Sequence, residues 1–261
     1  MFSRSRIKCG MTKNESMIQF DHVSKEFGPS SKALTDITVE VKDGEFVFLI
    51  GKSGAGKSTF FRLILRDILP TTGTVIVDDW DVTKLPQSKI HLLRRKVGMV
   101  FQDFRLLIDR TIFENIALGL EILGKTKEET EKGVSEVLEL VGLSHKRNSF
   151  PLQLSAGETQ RVSIARAIVG GPKILLADEP TGNLDPDTSW DIMQILEEIN
   201  SLGTTVIVAT HNETLVNTMK KRTITIKDGE IKSDEEKGRY HQSERAKEHH
   251  HRHSSGGHKE K

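Results

Sequence analysis

The stretch GKSGAGKST, Gly51–Thr59, follows the apolar run FVFLI and constrains the chain more than any other part of it. Gly51, Gly56, Lys57 and Ser58 fit the spacing G-x-x-x-x-G-K-[ST], in which backbone N–H groups at the start of a helix wrap polyphosphate oxygens. The glycines let the backbone come close to an anion. Lys57 then reaches the β- and γ-phosphates as a compact cation, and the Ser58 hydroxyl takes one position around a Mg²⁺ ion. A Gly/Ser-rich loop with no ligand is the plain alternative. Context weighs against it, because EFVFLI reads as a buried strand and STFFRLILRDIL as a helix, the strand–loop–helix setting that the chemistry requires.

The rest of the chain is consistent with one domain carrying an inserted lobe. ALTDITVEVK approximates period-two alternation, and Asp43-Gly44 is a hairpin signal leading into the strand before the loop. With MIQFDHV and TGTVIVDDWDV this predicts a small antiparallel β-lobe. KVGMVFQ, KILLAD and TTVIVAT are short apolar runs separated by helical patterns, as in a parallel sheet covered on both faces. RTITIKDGEI closes with a hairpin across Asp228-Gly229. From Asp103 to Leu152 the pattern is helical only, and TIFENIALGLEILG and EETEKGVSEVLELVGL are both amphipathic, which predicts a helical lobe over about 103–165.

Further motifs carry chemistry. KILLADEP ends a buried strand in two acids, Asp178 and Glu179; as a surface turn they are unremarkable, but a parallel strand delivers its carboxyl end to the ligand crevice. There Asp178 suits Mg²⁺ and Glu179 suits the attacking water. Ser155 and Gly157 open the helix of LSAGETQRVSIARA, a second anion site or a simple capping box completed by Glu158. His211 ends TTVIVATH and Gln102 ends KVGMVFQ; each is a candidate phosphate, water or Mg²⁺ contact, with a structural reading beside it.

In order and spacing these motifs, from Ile18 to Ile231, resemble the nucleotide-binding subunit of ATP-binding cassette (ABC) systems. The resemblance implies an α/β P-loop NTPase fold with a parallel core sheet, an antiparallel β-lobe and an inserted helical lobe. It implies ATP held by Phe27, Gly51, Ser53, Gly54, Ala55, Gly56, Lys57, Ser58, Thr59, Gln102, Ser155, Gly157, Glu158 and Asp185. It also implies Mg²⁺ held by Ser58, Gln102 and Asp178, and catalysis by Glu179, His211 and Lys57. Phe27 stands where the family usually stacks a tyrosine on adenine, and Ala156 replaces the more usual glycine of the signature LSAGE. One phosphate loop and one signature per chain imply a two-site homodimer closed by ATP. DEPTGNLD and VFQDFRLL followed by DRTIFENIAL resemble the bacterial cell-division branch, whose membrane partner is FtsX and whose ATPase activates cell-wall hydrolases. Lipoprotein-release and macrolide exporters share almost every such residue and form the alternative. Ile108 replaces a frequent proline, and Phe104, Arg105, Leu106 and Leu107 fall where the family docks its membrane partner.

Composition sets outer bounds. Lys+Arg 38 against Asp+Glu 37 leaves a net charge of +1, so no global field draws the 261-residue chain to nucleic acid, and no specific nucleic-acid partner is expected. Cys9 is the single cysteine, which suits a reducing compartment. No apolar run approaches the ~20 residues that span a bilayer. The expectation is a cytoplasmic protein, peripheral on the membrane through its partner. Residues 1–16 are expected to be a disordered extension, 17–232 the folded domain, and 233–261 a disordered charged tail. In that tail, His249, His250, His251 and His253 read as metal ligands or, more simply, as solvated residues.

Overall fold

The computed structural model describes residues 16–28 and 31–237. In chain order they form β1 (Ser16–Glu26), β2 (Lys32–Lys42), β3 (Phe46–Ile50), α1 (Lys57–Ile64), β4 (Thr72–Val77), β5 (Trp80–Asp81), α2 (Ile90–Arg94) and β6 (Val97–Val100). There follow α3 (Ile112–Ile122), α4 (Lys127–Leu140), α5 (Ala156–Ile168), β7 (Ile174–Asp178), α6 (Pro186–Ser201), β8 (Thr205–Thr210), α7 (Glu213–Met219), β9 (Arg222–Lys227) and β10 (Glu230–Glu235).

Two sheets organise them, one of order β2-β1-β4-β5 and one of order β10-β9-β3-β8-β7-β6. β3 shows why its sequence has no polar face. All five of its residues are buried, Val47 and Leu49 in one core and Phe46, Phe48 and Ile50 in the other. A parallel strand covered on both sides must be apolar throughout. The first core lies between the antiparallel sheet, α1 and one face of the larger sheet; the rings of Phe20 and Phe60 stack within it, centroids 4.1 Å apart, tying β1 to α1. The second core packs α3 to α7 on the other face. Capping boxes at Thr111–Glu114, Thr126–Glu129 and Ser155–Glu158 start α3, α4 and α5 by satisfying orphan N–H groups from both directions.

Parallel pairing of β3 with β8, β8 with β7 and β7 with β6 brings four carboxyl ends to one edge. The phosphate loop, His211, Glu179 and Gln102 follow those four strands and so emerge together.

The structure departs from the sequence expectations in five places. Asp43-Gly44 does not make a hairpin: β2 pairs with β1, β3 with β8 and β9, and the turn hands the chain from one sheet to the other. The helix after the phosphate loop stops at Ile64, because Arg66 takes a left-handed φ of 54° and donates from Nε to the Val82 carbonyl. Residues 103–111 are not helical, and α5 carries the helical lobe on to Ile168. β10 runs to Glu235, past the expected boundary at 232, since Ser233, Asp234 and Glu235 pair with Thr225, Ile224 and Thr223. Ser16 already belongs to β1, opposite Lys42. The Asp228-Gly229 hairpin forms as expected, joining β9 to β10. The N-terminal extension up to residue 15 and the tail histidines lie outside the described residues.

Candidate functional site

Three glycines of the phosphate loop are glycine for different reasons. A Cβ on Gly51 would lie 2.3 Å from the Ile226 carbonyl oxygen, and one on Gly56, whose φ is 114°, would lie 2.7 Å from that of Ala33. Those two are fixed by packing. Gly54 also has a left-handed φ of 80°, yet a Cβ there meets nothing within 4 Å. Its conformation serves the open side of the loop. Ser53 and Ser58 are exposed, Thr59 is half-buried, and Ala55 is buried with its carbonyl accepting from Gly229 N–H at 3.3 Å.

Behind the loop five side chains converge. Lys57 is buried; its ammonium donates to the Gly51 carbonyl at 2.7 Å and to that of Lys52 at 3.3 Å, and lies 3.6 Å from Glu179 Oε1. Ser58 Oγ donates to Asp178 Oδ2 at 3.0 Å. Burial raises the Asp178 pKa and the neighbouring Glu179 carboxylate adds to this, against the opposing Ser58 hydrogen bond and Lys57 charge. His211 Nδ1 comes within 2.9 Å of Glu179 Oε2. That approach lacks hydrogen-bond alignment, so Oε2 is a buried acceptor with no donor on it. Glu179 itself has a left-handed φ of 48°, a conformation that costs a non-glycine residue about 1–2 kcal/mol. Its backbone is held there by N–H donation to the Ala209 carbonyl and by Gly182 N–H donating to its own.

This arrangement fits a polyphosphate with a hard cation. The loop opens at Gly54, the Lys57 ammonium stands at the start of α1, and the oxygens of Ser58 and Asp178 are the donor type that Mg²⁺ prefers.

The remaining expected residues are placed around this cluster. Phe27 is 53% exposed on the β-lobe, with Lys25 Nζ 5.1 Å and the Arg62 guanidinium 6.0 Å from its ring centroid. Gln102 is exposed, its amide nitrogen 3.8 Å from where a Gly182 Cβ would stand, so it borders the Glu179–Gly182 turn. Ser155 caps α5, accepting from Glu158 N–H at 3.2 Å, and Asp185 caps α6, accepting from Thr188 N–H at 2.9 Å. The Glu158 carboxylate accepts from Ser155 N–H and meets Lys146 at 3.4 Å. Gly157 is buried against Thr188. Among the described residues, no hydrogen bond or ion pair joins Ser155, Gly157, Glu158 or Asp185 to the Lys57–Glu179 cluster.

One residue at this edge escaped the sequence reading. Arg166 donates to the carbonyls of Phe104 and Arg105, just beyond Gln102. Its partners are backbone atoms, which leave no motif.

A family model described as ABC transporter matches residues 34–182, from β2 through the Glu179–Gly182 turn. The chain belongs to the ABC transporter family. Within it, the chain is 53% identical over 224 residues to the cell division ATP-binding protein FtsE of Bacillus subtilis, covering 86% of this chain and 98% of that protein. The FtsE of Mycobacterium tuberculosis is 52% identical over 225 residues, with the same coverage of both chains. Among solved structures, an ATP-binding cassette dimer in a post-hydrolysis state bound to ADP and Pi matches with a TM-score of 0.77 and 36% identity, over 86% of this chain and 100% of that one. The chain is thus an ABC-type ATPase with the nucleotide-binding fold of the family.

Proposed function

We propose that this ABC ATPase binds and hydrolyses Mg-ATP as a homodimer on the cytoplasmic face of the membrane, driving an integral-membrane partner of the FtsX type in bacterial division and, through it, cell-wall hydrolases. The convergence of Lys57, Ser58, Asp178, Glu179 and His211 at one sheet edge carries the reading. Ser58, Gln102 and Asp178 would hold Mg²⁺, which would supply charge neutralisation at the phosphates. Lys57 turns from the Gly51 carbonyl to the phosphate oxygens. Glu179 Oε2 accepts the hydrogen bond of the attacking water, and His211 beside it fixes that water against the phosphate. Gln102 borders the same turn and senses it.

The second half of the site comes from another copy, because among the described residues no hydrogen bond or ion pair joins Ser155 or Gly157 to the Lys57–Glu179 cluster of their own chain. The relatives named FtsE support the cell-division assignment, and the dimeric ADP-bound cassette supports the assembly. No helix among the described residues is long and apolar enough to cross a membrane.

For the membrane partner, the segment after Gln102 remains the docking candidate. Leu106 is half-buried against the helical-lobe core and so offers less surface for docking than its neighbours. Leu107 and Ile108 are exposed at 44% and 64%, and Arg105 is exposed with its guanidinium 3.9 Å from the Phe101 ring. The test is a paired ATPase assay and membrane pull-down with FtsX on Arg105→Glu. Lost pull-down with retained ATPase is expected; lost ATPase with retained pull-down makes the segment catalytic support instead.

A further inference from the structure

The chain just past Gln102 is bent in a way its sequence does not favour. Phe104 and Arg105 both adopt left-handed backbone, with φ of 56° and 52°. Two consecutive non-glycine residues in that region together cost about 2–4 kcal/mol, so the turn persists only where its surroundings over-determine it. α5 supplies the surroundings. Arg166 Nη2 donates to the Phe104 carbonyl at 2.8 Å and Nη1 to that of Arg105 at 2.6 Å, while Ser163 Oγ, one turn earlier, donates to the Phe104 carbonyl at 3.4 Å.

The guanidinium is committed to this task. No carboxylate lies within ion-pair distance of Arg166 among the described residues, and burial pushes its pKa below the ordinary value. A half-buried cation without an anion is costly unless its N–H groups are used. Here two of them go to adjacent carbonyls, the fixed fork that guanidinium geometry provides and an ammonium does not.

Arg166 also lies on the same helix as the Ser155 cap. Eleven residues separate the two, about 16 Å along a helix axis. The loop that presents Gln102 to the Glu179 turn is therefore bolted to the far end of the rod that begins at Ser155.

We infer that Arg166 is a positioning residue: it holds the Phe104–Arg105 turn in its strained form, keeps Gln102 at the Glu179 turn, and makes α5 a rigid link from that loop to Ser155. The link to a second ATP site rests on the homodimer reading above; the hold on the loop does not.

The experiment compares the full wild-type chain with Arg166→Lys, which keeps a cation but not the fork. Amide hydrogen exchange across 101–107 should accelerate by about tenfold or more while α3 and α4 keep their protection. Steady-state kinetics should show kcat reduced about tenfold or more, since small displacements of positioned groups are that costly, with KM for ATP within about twofold because Arg166 does not touch the phosphate loop. Unchanged exchange at 101–107, loss of protection spread through the whole lobe, or a KM rise with kcat intact would each overturn the assignment. Sedimentation of Glu179→Gln with and without Mg-ATP separates the two layers. A Glu179→Gln chain that stays monomeric with Mg-ATP removes the homodimer reading, and the exchange and kcat measurements still decide Arg166.

Discussion

The Lys57 ammonium and the Glu179 carboxylate lie 3.6 Å apart, with side chains only 8% and 12% exposed, although they come from a helix start and a strand end 122 positions distant in sequence. In the proposed mechanism the pair sets a cation for phosphate beside an acceptor for water. Glu179→Gln keeps the shape and removes the charge. Hydrolysis should slow by about 100-fold or more, equivalent to a barrier higher by roughly 2.7 kcal/mol. ATP binding should persist, so the variant should accumulate as a dimer in sedimentation with Mg-ATP and remain monomeric without it. Lys57→Ala should instead weaken ATP binding. Near-normal turnover in Glu179→Gln would take Glu179 out of the catalytic role.

Gly157 has a packing reason to be glycine that is separate from any nucleotide. A Cβ there would stand 2.4 Å from Thr188 Cγ2, at the meeting of α5 with the start of α6. Gly157→Ala should destabilise the chain by about 1–3 kcal/mol, the usual range for overpacking. Thr188→Ser deletes the obstructing methyl and keeps the backbone N–H that Asp185 accepts. Urea unfolding of both single variants and the double should show most of the loss recovered in the double. Simple additivity would mean that the clash is relieved elsewhere.

Asp78 is 8% exposed and takes Lys96 and Lys173 on its two oxygens, each at 2.5 Å. The three residues join the β4–β5 turn to the starts of β6 and β7. Burial alone would raise the Asp78 pKa, but the hydrogen bonds and charges of Lys173 and Lys96 outweigh it and hold the carboxyl below the usual aspartate range. A folded pKa below the unfolded one gives stability that is fully present above the unfolded value and is lost as pH falls through the folded one. Asp78→Asn tolerates the left-handed φ of 46° at this position while removing the charge. At neutral pH it should cost about 1–2 kcal/mol, because the two lysines left behind keep about a third of their surface in water. The difference in melting temperature between wild type and variant should shrink as pH drops below about 4. A difference independent of pH would show that the pair contributes through packing rather than charge.

Local chemistry was legible in the sequence where the interacting groups are neighbours. The strand–loop–helix around Lys57, the Ser155–Glu158 capping box and the Asp228-Gly229 hairpin each rest on contacts a few residues long, and such contacts have a fixed spacing that a sequence displays. The separation of β2 from β3 at Asp43-Gly44 does not, because a turn signal says that the chain reverses and not which strand it will pair with. The Lys57–Glu179 approach depends on β3 and β7 flanking β8 in the sheet, a matter of strand order. Arg166 reaches a carbonyl 62 residues away, and Asp78 reaches Lys173 across 95. Backbone carbonyls carry no residue identity, and any lysine answers any aspartate, so only the packed cores on the two faces of the larger sheet decide which of these groups meet.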